Sequence, residues 1–110
     1  MQERRNEGRM MCADMIELFW RDPSGKRHRT MALLEDISPS GACLQLERPI
    51  TPGATLCWTS QQQRLEGTVR YCVYREIGYF AGVEFEPGMK WSETLYHPQH
   101  MFDPSRLLEK

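Results

Sequence analysis

The stretch Asp36-Ile37-Ser38-Pro39-Ser40-Gly41 gathers a carboxylate, two hydroxyls, a proline and a glycine. Proline fixes φ and glycine tolerates positive φ, so the segment predicts a tight, well-defined turn. Asp36 and Ser38 stand two residues apart and share one face of extended backbone, a geometry toward which Pro39 pushes Ser38. A carboxylate and a hydroxyl presented together can accept hydrogens from the donor edge of a base or sugar. They can equally bond neighbouring backbone N–H groups, as in Asx and Ser turns. A second group of interest is Arg4, Arg5 and Arg9, interspersed with Glu3 and Glu7. Planar guanidinium forks match phosphate and carboxylate geometry. Such an arm can fold over an anionic ligand or remain a solvated terminus.

Other chemistry is sparse. Cys12, Cys43, Cys57 and Cys72 are scattered singly through apolar or alternating runs, with no C-x-x-C pair, and read as reduced, hydrophobe-like thiols. His97 and His100 flank Pro98-Gln99 without a cysteine or carboxylate partner in the motif, so no metal site is expected. There is no glycine-rich phosphate loop followed by lysine and no recognisable Ser/His/Asp or Cys/His set, and we expect no enzyme. With 110 residues and a net charge of −1, the chain is one ordinary domain and no general polyanion binder; any anion site must be local. The basic run Lys26, Arg27, His28 and Arg29 lacks aromatic interleaving and reads as a solvated hairpin tip rather than a DNA or RNA surface. No apolar run approaches the ~20 residues of a membrane helix, and residues 1–9 are too polar for a signal peptide, so a cytoplasmic location without membrane insertion is expected.

The elements that must position these groups are strands. Residues 12–20 and 27–35 form a hairpin around the turn signal Asp22-Pro23-Ser24-Gly25. Ala42, Leu44 and Leu46 then alternate against Cys43, Gln45 and Glu47, and residues 55–59 make a short strand. Leu65, Val69, Tyr71 and Val73 alternate against Glu66, Thr68, Arg70 and Cys72; Tyr79, Ala81, Val83 and Phe85 line one side of the last strand. Six half-apolar strands with short connections predict an all-β fold, a six-stranded antiparallel β-barrel that leaves no edge exposed. The expected organisation is a flexible arginine-containing arm over residues 1–10, a barrel over 11–87 and a tail over 88–110. In the tail, residues 90–96 hold a helical turn, and Asp103-Pro104-Ser105 starts a short helix with an N-cap and proline at its first position. Trp91, Leu95 and Tyr96 are candidate packing residues, and an exposed patch involving Trp91, Tyr96 or Phe102 would be a candidate interface.

Taken in order, Arg5-x-x-x-Arg9 preceded by Arg4, and Asp36-x-Ser38-x-x-Gly41 between the second and third strands, resemble the two signatures of the PilZ domain family, R-x-x-x-R and [D/N]-x-S-x-x-G. The resemblance covers about residues 4–86, with Gly82-Val83-Glu84-Phe85 similar to the family's last strand. It implies a six-stranded barrel and a bacterial receptor for the second messenger cyclic di-GMP. Arg5 and Arg9 would match the first motif, Arg4 the extra arginine before it, and Asp36, Ser38 and Gly41 the second. The arginines would grip the ligand, the turn would read a guanine, and the arm would order on binding for a downstream protein partner. No cofactor beyond the ligand is implied. The alternative is a PilZ-like module that binds no nucleotide and acts through protein contacts alone.

Overall fold

A computed structural model describes residues 8–108 of the chain. Six antiparallel strands follow in order: β1 (Met10–Arg21), β2 (Arg27–Ser38), β3 (Gly41–Leu46), β4 (Thr55–Ser60), β5 (Gln63–Arg75) and β6 (Gly78–Phe85). They close into a barrel with the order β1-β2-β3-β6-β5-β4. Closure rests on a short seam in which Phe19, Trp20 and Arg21 of β1 face Cys57, Leu56 and Thr55 of β4. The predicted architecture is therefore present, with no strand left unpaired at an edge.

Period-two alternation explains the interior. Ile16 and Leu18 of β1, Leu34 and Ile37 of β2, and Ala42, Leu44 and Leu46 of β3 point inward and are buried. Leu56 and Trp58 of β4 meet Leu65 and Val69 of β5 and Ala81, Val83 and Phe85 of β6 in the same core. Trp58 and Phe85 pack with ring centroids 6.1 Å apart, within the range where tilted aromatic pairs attract. The β1–β2 turn forms at the expected place. Asp22 Oδ1 accepts from the backbone N–H groups of Ser24 and Lys26 and from the Ser24 hydroxyl, while Oδ2 lies 3.0 Å from His28 Nε2. Chiefly through the Ser24 and His28 bonds, its carboxyl is held far below the usual range.

Bulges break the alternation, and they change which residues face out. Register shifts occur in β1 between Met11 and Asp14, in β2 between Leu34 and Asp36, and in β5 between Val69 and Tyr71. The β5 bulge corrects the sequence expectation directly. Beyond Arg70 the inward place passes to Cys72, which packs against the core, while Tyr71 and Val73 turn outward and are exposed.

The C-terminal segment is also more than a tail. After β6 the chain straps across the barrel, held by glutamines from the polar break that follows β4. Gln63 donates to the Lys90 carbonyl (2.8 Å) and accepts from Ser92 N–H (3.0 Å). Gln61 exchanges two bonds of 2.9 Å with the His97 backbone, so His97 is tethered to the β4–β5 hairpin and does not lie on a loose end. Trp91 and Tyr96 are buried, which confirms them as packing residues and removes them as an exposed patch; Phe102 stays half-exposed. The Trp91 indole donates to the Tyr96 carbonyl, and the Tyr96 hydroxyl donates to Asp14 Oδ2 at 2.6 Å. Phe102 and Met11 exchange backbone bonds of 2.9 Å, which ties the strap to β1. Residues 90–96 contain only a single turn, in which the Ser92 carbonyl accepts from Leu95 and Tyr96 N–H. The expected short helix is a 3₁₀ turn (Pro104–Leu108) with the anticipated cap, as Asp103 Oδ1 accepts from Ser105 N–H and hydroxyl.

The bond between Tyr96 and Asp14 anchors the strap to β1. Tyr96→Phe should lower unfolding stability by ~1.5–3 kcal/mol, the range for a hydrogen bond to a charged group. Chemical denaturation at neutral pH would measure this, and an unchanged midpoint would mean that the strap is held without that bond.

Candidate functional site

Asp36 and Ser38 belong to β2, not to the turn. The strand runs through Ser38, which pairs with Gly41, so only Pro39 and Ser40 make the connection. Neither of these two has positive φ, and nor does Gly41. The glycine therefore serves close approach rather than an unusual backbone angle: a Cβ at position 41 would lie 2.5 Å from the Val83 carbonyl oxygen on β6. The turn is held from outside the hairpin. Pro39 C=O accepts from Trp91 N–H (3.0 Å) and Ser40 C=O from Phe85 N–H (2.8 Å), so the strap fixes the turn that carries the motif. Ser38 Oγ also donates to the Gly41 carbonyl, at a long 3.4 Å.

The register lays the site out in rows on the barrel's outer face. Asp36 is opposite Cys43, Cys43 opposite Gly82, and Gly82 opposite Tyr71, a transverse line over β2, β3, β6 and β5. One outward step along, Ser38 is opposite Gly41 and Gly41 opposite Glu84. A cleft of about 740 Å³ opens beside these rows, lined among others by Arg9, Ser38, Gly41, Arg70, Tyr71 and Glu84. That volume is in the range of small-molecule sites.

Arg9 stands just before β1, with its Nε 3.4 Å from Asp36 Oδ1. The guanidinium is largely exposed, whereas the carboxylate is 14% exposed. Asp36 Oδ1 itself is buried and makes no well-formed hydrogen bond, so the contact is a charge pairing rather than an aligned bond. Burial drives the Asp36 pKa above its ordinary value, and Arg9 only partly opposes it. Glu35, at the β2 bulge, is pushed up by burial and then by its neighbour Asp36. Cys43, beside Asp36 in the row, is raised to about 11 by burial and next by the charge of Asp36. That thiol stays protonated at neutral pH and is a packing group, not a nucleophile. Arg70, outward on β5 just before the register shift, pairs with Glu84 across to β6.

Of the six residues singled out in the sequence, Arg9, Ser38 and Gly41 line this cleft, and Asp36 adjoins it through its contact with Arg9. Arg4 and Arg5 lie outside the described residues. The structure adds Arg70, Tyr71 and Glu84 as lining groups; the alternation of β5 and β6 set Arg70 and Glu84 on the outward face but took Tyr71 for an inward residue. The one visible signal was the unbroken run Tyr71-Cys72-Val73-Tyr74, too apolar on both faces for a strand with one side in water.

A closed six-stranded barrel bears here an outer-face cleft with an arginine, a carboxylate and two side-chain-free positions, a form suited to a small ligand. Comparison with known families gives it a place: the chain matches the PilZ domain over residues 3–93, and it belongs to that family. PilZ domains are cyclic di-GMP receptors, a binding rather than a catalytic family. No curated protein matches the chain.

Close packing at Gly41 gives a direct test. In Gly41→Ala the β3–β6 pair must shift away from the Val83 carbonyl, at a cost of about 1–3 kcal/mol, as for overpacked interiors. A melting temperature equal to wild type would show that the strand pair has slack the structure does not display.

Proposed function

We propose that this chain is a receptor for cyclic di-GMP that binds the nucleotide in the cleft beside β2, β3 and β6. The observation that carries the reading is that Arg9, Ser38 and Gly41 line one cleft of sufficient size and that Arg9 also contacts Asp36 beside it. Membership of the PilZ family supports the choice of ligand. In this reading Arg4, Arg5 and Arg9 meet the phosphates and the O6/N7 edge of guanine, where a guanidinium makes two parallel bonds. Asp36, ionised, accepts from guanine N1–H and N2–H. Ser38 bonds the base or a phosphate, and Gly41 leaves the base free to approach the backbone.

The Arg9–Asp36 contact also supports a mechanism. Asp36 Oδ1 is covered in this state, so a guanine can reach it only as Arg9 moves aside. The guanidinium exchanges one anion, Asp36, for another, the ligand phosphate. Residues N-terminal to Arg9 then order over the cleft, and a downstream protein partner reads the altered surface. Three or four charge-assisted bonds of roughly 1.5–3 kcal/mol each, less the cost of ordering the arm, reach about −8 kcal/mol, a micromolar Kd. We place the protein in the bacterial cytoplasm, where this ligand acts. No helix among the described residues is long and apolar enough to cross a membrane.

Calorimetric titration of cyclic di-GMP should give a Kd of about micromolar for the wild type and a ten- to hundredfold weaker one for Arg9→Ala. Absence of binding by the wild type would favour the nucleotide-free interaction module. Amide exchange of residues 1–10 should slow on ligand addition; equal protection with and without ligand would rule out ordering of the arm.

The raised Asp36 pKa sets a pH dependence. The ionised carboxylate strengthens ligand binding in this reading, and the folded pKa lies above the ordinary value, so affinity should fall as pH drops while free carboxylates are still ionised. Folding stability carries the opposite sign from this group. The native state holds its proton more tightly than the unfolded chain, so the Asp36 contribution declines as pH rises from the unfolded to the folded pKa. Asp36→Asn should flatten the acid limb of binding. An unchanged pH profile in that variant would show that another group titrates there.

A further inference from the structure

Tyr71 occupies a place in the cleft that neither signature motif accounts for. The bulge at Arg70 turns it from the core to the outer face, where half of it is exposed. Its strand partner is Gly82. A Cβ on Gly82 would overlap the Cε2 and Cζ atoms of the ring, so Gly82 is a gap that seats the tyrosine against the β6 backbone. The rest of the ring borders the cleft with Arg9, Ser38 and Arg70. Burial first, then the neighbouring Cys43, raises the phenol above its ordinary pKa, so the ring is neutral at physiological pH.

We propose that Tyr71 is a stacking platform for one guanine of the nucleotide, the base that Asp36 does not read. This rests on the cyclic di-GMP reading. Asp36 and Tyr71 close the two ends of the row through Cys43 and Gly82. Because the ring is seated over Gly82, two inter-strand steps of about 4.8 Å separate it from Asp36, more than one purine spans. A ligand with two bases joined through two phosphates fits such a row: one base meets a carboxylate by its edge, the other an aromatic ring by its face, and the arginines between take the phosphates. Seating matters as well as ring type, because an aromatic side chain held against backbone loses little freedom on binding.

The test compares wild type, Tyr71→Phe and Tyr71→Leu, with thermal melting of each to confirm folding. Cyclic di-GMP binding is followed by calorimetry and by the guanine H8 resonances in NMR. In the wild type and Tyr71→Phe, one bound H8 signal should move upfield through the ring current. Tyr71→Leu, which keeps apolar bulk without a π-face, should lose that shift and bind about tenfold more weakly, as expected for loss of one base–aromatic stack. Asp36→Asn should keep the upfield signal. If the wild type binds but Tyr71→Leu binds equally well, or one H8 signal still moves upfield in it, the platform is wrong and the receptor reading survives. If the wild type does not bind at all, both fall together.

Discussion

A carboxylate largely withdrawn from water must be neutralised by a cation or by a proton. Asp36 is in that position: one oxygen is fully covered, Arg9 lies 3.4 Å away, and burial pushes the group toward its protonated form. The pairing is poor as a hydrogen bond, and a partner that offered aligned donors would satisfy the carboxylate better. Guanine presents two such donors on one edge. In the proposed reading the site is half-closed on itself, and its own arginine is the group that must be displaced. That single contact links the arm before β1 to the end of β2, two segments far apart in sequence.

The barrel keeps this contact in place by satisfying its backbone elsewhere. Pairing of Gly41 with Glu84 and of Gly82 with Tyr71 requires two positions without side chains, one facing a carbonyl of β6 and one facing a ring from β5. The strap from Trp91 onward then ties the Pro39–Ser40 turn to the barrel through backbone bonds. A turn held by bonds from β6 and from the strap is stiffer than its own two residues would make it. In the proposed reading, stiffness here reduces the ordering cost of binding, which otherwise offsets most of the interaction energy.

Much of this was legible in the sequence. The alternation of Ala42, Leu44 and Leu46 against Cys43, Gln45 and Glu47 is the burial pattern found in β3, and the pairing of Asp36 with Ser38 on one face follows from their spacing alone. Proline and glycine located the β2–β3 connection, although the strand runs three residues past the point where charge and turn formers suggested it would stop. What stayed hidden depends on contacts between distant segments. A bulge adds one residue to one strand and leaves little mark in the sequence beyond the apolar run Tyr71–Tyr74, so Tyr71 and Val73 kept the appearance of core positions. Gln61 and Gln63 looked like a polar break, yet their amides hold backbone some thirty residues away. Gly41 was singled out as room for a base, whereas the contact seen for it is the Val83 carbonyl across the β3–β6 pair, which no local reading can supply.

The central claim is that the nucleotide sits on the outer face of the barrel, across the row from Asp36 to Tyr71. Amide chemical-shift mapping with ¹⁵N-labelled protein and cyclic di-GMP tests it most directly. Saturable shifts clustered on Arg9, Asp36, Ser38, Gly41, Tyr71 and Gly82 are the predicted result. No saturable shifts, or shifts confined to the β1–β4 seam on another face, would contradict it.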